Sequence, residues 1–374
     1  MQTPDVTERP TKVVILSKQL DEQGGVVHVV QSVMAGANQQ AQFLHLPIGS
    51  RPGGLRSPRN WIFPVLDVVQ LARTIRKWKP DCVHINPSLT LPSILRDGML
   101  LLALQAIRFR NRVVMFHGWE MAQIVRLRRN PLLRAFFLAT FRRATCTLVL
   151  AKAFKEQLVS IGFDPGRVIV VPAMFDGRVL QEMPPRQQVA ATRVLFLSRF
   201  VAPKGVYTVL EAVRSLIESG QDVRLLLAGD GPEQKRMQEW VRAHGLADRI
   251  TFAGYVRGVD KARVFAESDI FAFPTRYPEG CPVSLLEALA AGLPVVCSAV
   301  GGMADVVENE RNGVVLEDPT VEATARGIQL FHENRELARR VGEVNRAYAW
   351  TEFESGVVAR LIAEVYRRAS SQGA

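Results

Sequence analysis

Short runs of valine, leucine and isoleucine recur along this sequence and alternate with stretches whose apolar spacing is helical. The runs are almost continuously apolar, which is typical of strands buried on both faces of a parallel sheet. Their alternation with helices predicts a doubly wound α/β architecture. The predicted strands are 12–17, 81–86, 112–118, 146–151, 168–173, 193–199, 222–229, 250–256, 269–275, 293–299 and 313–317.

A polar stretch divides these strands into two sets. Residues 173–193 contain two adjacent prolines, show no clear periodicity and precede a fresh apolar strand. Because 374 residues exceed what one ordinary core serves, we expect two Rossmann-like domains, 1–180 and 181–350, facing each other across a cleft. The remaining residues, 351–374, predict an amphipathic helix that braces back toward the first domain. Ligands of such sheets bind beyond the carboxyl ends of the strands.

The charge of the chain is strongly and unevenly basic. The net charge is +11 and the isoelectric point is near 9.9, which favours an anionic partner. Ten arginines stand against two acids between residues 96 and 143. Bulky apolar residues accompany them at Leu132, Leu133, Phe136, Phe137 and Phe141. This mixture predicts that segment 108–143 docks onto an anionic membrane surface. The alternative is a solvated basic face over a buried stripe, and no nucleic-acid recognition motif accompanies the charge.

Composition places the chain among cytoplasmic globular proteins. Hydrophobic residues make up 48% and charged residues 22%. The apolar run at 99–107 falls well short of the roughly 20 residues that span a bilayer, and the start shows no secretory signal. The four cysteines are scattered, which fits buried thiols in a reducing cytosol. With the basic segment, this predicts a peripheral protein on the inner face of the cytoplasmic membrane.

Residues 278–296, PEGCPVSLLEALAAGLPVV, contain two glutamates eight positions apart. Glu279 lies in a predicted loop after a strand, and Pro282 suits the first turn of a helix that places Glu287 about one turn inside. The amino terminus of a helix favours anions. One glutamate for a sugar and one for a ribose, flanking a phosphate, fit this pattern. The alternative is an acid that favours the helix dipole together with an unrelated surface glutamate.

Three further turns of the second domain suggest a nucleotide site. Arg199 and Lys204 share the loop after the first strand of this domain, where two cations suit a diphosphate, although an exposed basic loop is the alternative. Gly229 belongs to a glycine-rich strand-to-helix turn. Tyr255 and Val256 end another strand, where the backbone could border a nucleobase.

The first domain offers fewer signals. Gly24 and Gly25 follow the opening strand and allow close approach of a phosphate to the next helix. His117 follows a strand before a glycine, and a histidine with satisfied hydrogen bonds is the alternative there. The absence of a GxGxxG motif counts against a nicotinamide dinucleotide site. No Asp-x-Asp pair is present in the sequence, so we expect neither a metal nor another cofactor.

These motifs together resemble the retaining family-four glycosyltransferases, also called glycosyltransferases group 1. The resemblance covers the second domain well, through residues 273–319, and the first domain only through short matches such as HGWE at 117–120. The set that carries it is Gly24, Gly25, His117, Arg199, Lys204, Glu279 and Glu287. It implies a GT-B fold, with the acceptor on the first domain and a UDP- or GDP-linked sugar as co-substrate on the second.

The resemblance also implies roles for individual residues. Arg199 and Lys204 would neutralise the donor diphosphate, and the Gly25 amide would approach it from the other side. Glu279 would bind hydroxyls of the transferred sugar, and Glu287 those of the ribose.

The implied site also includes residues 280–282, which follow the first glutamate, and His117. Backbone amides around Gly280 and Cys281 would touch sugar or phosphate, and His117 would lie near the reacting carbon. Family members often have an aromatic residue and glycine where this chain has Cys281 and Pro282, which bears on the identity of the sugar. We therefore take His117, Arg199, Lys204 and Glu279 as the catalytic candidates.

The sequence thus predicts a retaining, metal-independent hexosyltransferase of polysaccharide biosynthesis that acts on a lipid-linked or cell-envelope glycan. Fixed cations would stabilise the leaving diphosphate without a protein base. Two alternatives stay open. One is transfer to a soluble acceptor, as in sucrose or trehalose synthesis, and the other is a Rossmann-type oxidoreductase or a non-catalytic nucleotide-binding module.

Overall fold

A computed structural model describes residues 9–22, 24–49, 63–186, 189–277 and 280–371. Contacts divide the chain into two compact units. The first unit joins Met1–Pro172 with Ser355–Ala374, and the second is Ala173–Glu354. Each unit is built on one parallel sheet of six strands. The prediction of a doubly wound α/β chain with two parallel sheets is therefore confirmed.

The sheet of the first unit has the order β2-β1-β3-β4-β5-β6. Its strands are β1 Thr11–Ser17, β2 Ala41–Pro47, β3 Cys82–Ile85, β4 Arg112–Met115, β5 Cys146–Val149 and β6 Val168–Val170. The apolar residues of β1, β3 and β4 are fully buried, as strands covered by helices on both faces require. The sheet thus brings the loops after β1, β3 and β4 to one edge, because all its strands run parallel.

Seven helices of the first unit lie among the described residues. They are α1 Gly25–Gly36, α2 Phe63–Trp78, α3 Leu91–Ala106, α4 Met121–Arg129, α5 Pro131–Thr140, α6 Lys152–Ser160 and α14 Ser355–Ser371. The final helix, α14, packs tightly on α1, since a Cβ atom added to Gly36 would lie 2.7 Å from the Cβ of Ala359. The hydroxyl group of Tyr366 on this helix also lies 2.6 Å from Nδ1 of His84, a buried residue of β3.

The second unit repeats the same architecture. Its sheet has the order β12-β11-β10-β7-β8-β9. The strands are β7 Thr192–Leu197, β8 Val223–Ala228, β9 Ile250–Gly254, β10 Ile270–Phe273, β11 Val295–Ser298 and β12 Gly313–Leu316. The helices are α7 Gly177–Gln181, α8 Val206–Glu218, α9 Gln234–Ala243, α10 Gly258–Ala266, α11 Val283–Ala290, α12 Val321–Glu333 and α13 Arg335–Glu352. Because β7 pairs with both β8 and β10, the loops after these three strands share one edge.

The structure departs from the sequence expectations at three places. The set of predicted strands omits β2, an edge strand whose side chains are only partly buried and so lack a continuous apolar run. The final helix begins at Ser355 rather than at 351, because α13 occupies the chain as far as Glu352. Strand β4 ends at Met115, so His117 lies beyond the sheet ladder in the following loop.

Candidate functional site

The loop after β7 holds two cations of the second unit close together. Lys204 ends a short 3-10 turn, is only 7% exposed, and places its Nζ 4.7 Å from the centre of the Tyr277 ring. Burial, and then the charge of Arg199, lower the pKa of Lys204 to about 8. Its ammonium group is therefore poorly solvated and repelled by a second cation, and an anion bound in this loop would relieve both effects.

Glycines allow the loops after β7, β8 and β10 to touch through their backbones. Gly205 has φ 84°, and a Cβ there would lie 2.1 Å from the carbonyl oxygen of Pro274. Gly229 has φ 138°, and a Cβ there would lie 1.9 Å from the Ser198 carbonyl oxygen. The Gly229 amide donates to the Gly254 carbonyl at 2.7 Å. Gly229 thus fixes the packing of the loops, and its own amide is already engaged.

Glu287 is a buried residue of α11, about one turn after the helix begins. The residue is 3% exposed, and its Oε1 accepts a hydrogen bond from Lys261 Nζ at 2.5 Å. Its Oε2 is buried and has no hydrogen-bond partner in the described part of the chain. Burial raises the pKa of Glu287, and Lys261 opposes that rise. The alternative of an unrelated surface glutamate is excluded, and an acceptor atom is left for a hydroxyl donor.

The other predicted residues of this turn have a mixed outcome. Glu279 lies outside the described residues, so its role stays a prediction. Gly280, Cys281 and Pro282 are partly buried, and Pro282 is the N-cap of α11. Burial raises the pKa of the Cys281 thiol, so the thiol is protonated at neutral pH.

Tyr255 and Val256 follow β9 at the same edge of the sheet. Tyr255 is 65% exposed, and Val256 is half-buried. An exposed tyrosine ring at a strand end offers a flat apolar face together with a hydroxyl group. This arrangement suits contact with a nucleobase, which stays a prediction.

In the first unit, Gly24 and Gly25 form the entry to α1. Gly24 is the N-cap, with φ 156°, and its carbonyl accepts from the His28 amide at 3.0 Å. A Cβ added to either glycine would meet no atom within 4 Å. Among the described residues, nothing therefore fills the space beside these two glycines, and the approach of a phosphate there stays a prediction.

His117 is held in one orientation by Asn86, a residue that the sequence did not single out. Asn86 Nδ2 donates to the Leu16 carbonyl at 3.0 Å, which fixes the amide so that its oxygen faces His117. His117 Nε2 lies 2.7 Å from that oxygen, so Nε2 bears the proton and Nδ1 is the acceptor. Burial lowers the pKa of His117 to about 4. The ring is thus a neutral acceptor at neutral pH.

Two family models match the chain, one in each half. The model described as "Glycosyltransferase Family 4" matches residues 12–176. The model described as "Glycosyl transferases group 1" matches residues 186–348. The chain is a family-four glycosyltransferase with a GT-B fold.

Curated relatives of this glycosyltransferase are themselves named as glycosyltransferases. A colanic acid biosynthesis glycosyltransferase of Escherichia coli K12 is 24% identical over 52% of this chain and 49% of its own length. A GDP-mannose-dependent phosphatidylinositol monomannoside mannosyltransferase of Mycobacterium tuberculosis is 26% identical over 67% of this chain and 66% of its own length. The chain therefore spans about half of the length of the first of these relatives and about two thirds of the length of the second.

Solved structures share the fold across almost the whole glycosyltransferase. Anabaena HepE, solved in complex with UDP and glucose, has a TM-score of 0.73 and 17% identity, covering 96% of this chain and 100% of its own. Sucrose-phosphate synthase of Thermosynechococcus elongatus has a TM-score of 0.75 and 19% identity, covering 97% of this chain and 100% of its own. At these identities the likeness shows the fold alone.

The basic segment of this glycosyltransferase differs from the sequence expectation. Phe137 and Phe141 are fully buried in the core of the first unit, and of the five apolar residues named beside the arginines only Leu132 is largely exposed, at 83%. The reason is that Phe137 near the end of α5 and Phe141 in the 3-10 turn after it pack against Phe116 and against each other. Within the segment, Met121 and Val125 of α4 are also exposed. Further exposed apolar residues lie on α3 and just after it, at Leu95, Met99, Leu102 and Ile107, here called the α3 stripe.

Within the described residues, no helix is long and apolar enough to cross a membrane.

Exposed arginines surround the end of α3. Arg108 and Arg110 follow it directly. The side chain of Gln105 donates to the Ala139 carbonyl at 3.1 Å, which brings the 3-10 turn Phe141–Arg143 and its two arginines alongside. Apolar and basic side chains are therefore neighbours on this surface.

Proposed function

We propose that this protein transfers a hexose from a UDP- or GDP-linked sugar to a lipid-linked or cell-envelope glycan acceptor, with retention of anomeric configuration. The observation that supports this most is the pair of loops at one sheet edge of the second unit. One holds the buried Lys204 beside Arg199, and the other leads to Glu287, whose Oε2 has no partner among the described residues. A diphosphate and a ribose diol are the groups that such a pair of loops would bind.

The proposed mechanism is electrostatic. Lys204 and Arg199 would hold the diphosphate as charge develops on the leaving group, because preorganised cations in a poorly hydrated site stabilise that charge best. The start of α11 would add its partial positive charge. The donor phosphate itself would take the proton of the attacking hydroxyl, so no protein base is needed. The independence of the reaction from metal ions is part of this proposal.

Residues that accept hydrogen bonds would orient the sugar. His117 presents Nδ1 as an acceptor for a sugar hydroxyl, and Glu279 would bind others. Both carboxylates would thus hold hydroxyl groups, and neither would act as a nucleophile. A soluble acceptor is the second candidate, and the name of one relative, a 2-deoxystreptamine glucosyltransferase of Streptomyces kanamyceticus, favours it. Family membership sets aside the oxidoreductase alternative.

The donor assignment is tested by thermal-shift and hydrolysis screening against a panel of nucleotide sugars. We expect stabilisation by one UDP- or GDP-linked hexose, and slow hydrolysis of the same donor in the absence of an acceptor. Nicotinamide dinucleotides serve as the control and should leave the melting temperature unchanged. Stabilisation by a nicotinamide dinucleotide, with no response to any nucleotide sugar, would refute the proposal.

Replacing Asn86 by aspartate should raise the pKa of His117 above its value of about 4. The new carboxylate stabilises the protonated ring, and only the neutral ring has an acceptor for the sugar. The acid limb of the pH profile of kcat/KM therefore moves to higher pH. Titration of His117 by NMR measures the pKa directly. Asn111→Asp, which adds the same charge elsewhere on the first unit, is the control and should move neither curve.

We also propose that the protein is peripheral on the inner face of the cytoplasmic membrane, through segment 108–143 together with the α3 stripe. Exposed leucines beside arginines suit an anionic bilayer, where apolar side chains enter the acyl boundary and arginines meet headgroups. Acceptors that carry lipids would be delivered to the same surface.

Replacing Leu95 and Leu102 by glutamine should weaken binding to anionic vesicles by roughly tenfold, because two half-exposed leucines together contribute about 1.4 kcal/mol on burial in the bilayer. Cosedimentation with vesicles measures the affinity, which should also fall as salt rises. Leu330→Gln, a change at an exposed leucine of the second unit, is the control. Equal binding to neutral and anionic vesicles would contradict the membrane proposal.

A further inference from the structure

A hollow of about 510 Å³ lies along one face of α4 in the first unit, here called the α4 hollow. The loop after β7, by contrast, belongs to the second unit. The side chains that line it include Glu120, Ala122, Gln123, Arg126, Arg129 and Asn130. These positions recur every three or four residues, so they share a face of the helix, and the small Ala122 leaves room between longer neighbours.

Gln123 is the unusual member of this hollow. The residue is only 4% exposed, yet its Nε2 has no hydrogen-bond partner among the described residues. A buried amide donor that lacks an acceptor costs free energy, because it loses its hydrogen bonds to water and gains none in return. An acceptor atom bound in the hollow would satisfy it.

Arg126 and Arg129 indicate that the acceptor atom in the hollow belongs to an anion. Both are exposed, and within the described ranges neither makes a side-chain hydrogen bond or ion pair. Arg128, on the same helix, differs because it donates to Ser160 Oγ at 2.8 Å. Asn130 is also engaged, since its side-chain oxygen accepts from the Leu133 amide as the N-cap of α5. The hollow therefore offers two guanidinium forks and one amide donor to a ligand.

We propose that the α4 hollow binds a phosphate ester group of the acceptor substrate. Three separate donors match the several oxygens of a phosphate better than the two of a carboxylate, and guanidinium forks bind phosphate oxygens in pairs. Glu120 is exposed at the start of α4. It repels a bare anion but accepts from a hydroxyl, so it favours a phosphate that carries a polyol or a sugar.

This inference rests on the proposed function, since it assigns an acceptor group to a second phosphate site that is separate from the donor diphosphate. The shared chemistry is a phosphate ester, which two sources supply. One is a soluble sugar or polyol phosphate, and the other is a phosphorylated lipid at the bilayer surface.

The test follows the side-chain amide signals of Gln123 by NMR while glycerol 3-phosphate is added to the full chain. The signals should shift and saturate. Arg126→Gln with Arg129→Gln should weaken the affinity at least tenfold, whereas Arg128→Gln with Arg142→Gln, which removes the same charge from exposed arginines outside the hollow, should leave it within twofold. Gln123 signals that do not respond, or equal weakening by both double variants, would overturn the proposal.

A vesicle arm distinguishes the two sources. Phosphatidylcholine vesicles that contain phosphatidic acid are compared with vesicles that contain the same fraction of oleic acid. A preference for phosphatidic acid that Arg126→Gln with Arg129→Gln removes identifies a phospholipid headgroup. Equal binding to both vesicles, with the glycerol 3-phosphate response intact, identifies a soluble phosphate.

Failure of the inference is separable from failure of the proposed function. Donor hydrolysis and nucleotide affinity should be unchanged in Arg126→Gln with Arg129→Gln, because the donor residues belong to the second unit. If no nucleotide sugar binds the protein, the proposed function fails, while a saturable Gln123 response still reports a phosphate site. If the donor binds and Gln123 does not respond, only the present inference fails.

Discussion

Replacing Lys204 by alanine should lower kcat/KM for sugar transfer by roughly 100- to 1,000-fold, the loss typical when one preorganised group that stabilises developing negative charge is removed. Lys204 is the buried cation of the loop after β7, with Arg199 as its neighbour. The remaining arginine is exposed, and we expect it to hold the diphosphate less firmly by itself. Steady-state kinetics measure the loss, and calorimetry with the nucleoside diphosphate measures the accompanying loss of affinity.

The pH dependence of the same lysine gives an independent check. Its pKa of about 8 means that the free protein loses this cation as pH rises through that value. Nucleotide affinity of the unaltered protein should therefore fall above pH 8, and the fall should disappear in Lys204→Ala. Lys235→Ala removes an exposed lysine of the second unit and serves as the control. Unchanged nucleotide affinity in Lys204→Ala would remove Lys204 from the site.

Replacing Lys261 by methionine should lower the free energy of unfolding by about 3–5 kcal/mol, the usual cost of leaving one member of a buried ion pair without its partner. Glu287 is then a buried carboxylate with no cation beside it. Chemical denaturation measures the change. Nucleotide affinity should fall as well, because the unpaired Glu287 tends to take up a proton and loses strength as an acceptor for hydroxyl groups.

The double variant Lys261→Met with Glu287→Leu separates structure from function. Replacing a whole buried pair by apolar residues is often neutral or stabilising, so most of the lost stability should return. Nucleotide binding should not return, because the acceptor for the ribose is gone. A double variant that is stable and binds nucleotide normally would show that the pair is purely structural.

The sequence predicts most of the fold because its strands are buried on both faces and therefore form continuous apolar runs. It misses β2, where the edge position leaves residues partly exposed. It predicts the loop of Arg199 and Lys204 because both cations stand close together in one turn. It does not identify Lys261, which lies 26 positions before Glu287 on another helix and meets it only in the fold.

Side-chain partners and helix faces explain the remaining differences. Asn86 has no motif of its own, and its role depends on the Leu16 carbonyl that fixes its amide. Phe137 and Phe141 accompany arginines in sequence, yet both pack against Phe116 in the core. Apolar composition near a basic run therefore did not reveal which apolar residues are exposed.

We propose that the loop after β7 and the start of α11 bind the diphosphate of a sugar nucleotide. A crystal structure of the protein with its donor bound tests this most directly. We expect diphosphate oxygens within about 3 Å of Lys204 Nζ and the ribose hydroxyls in contact with Glu287. A donor whose phosphorus atoms lie away from the Arg199–Lys204 loop would contradict it.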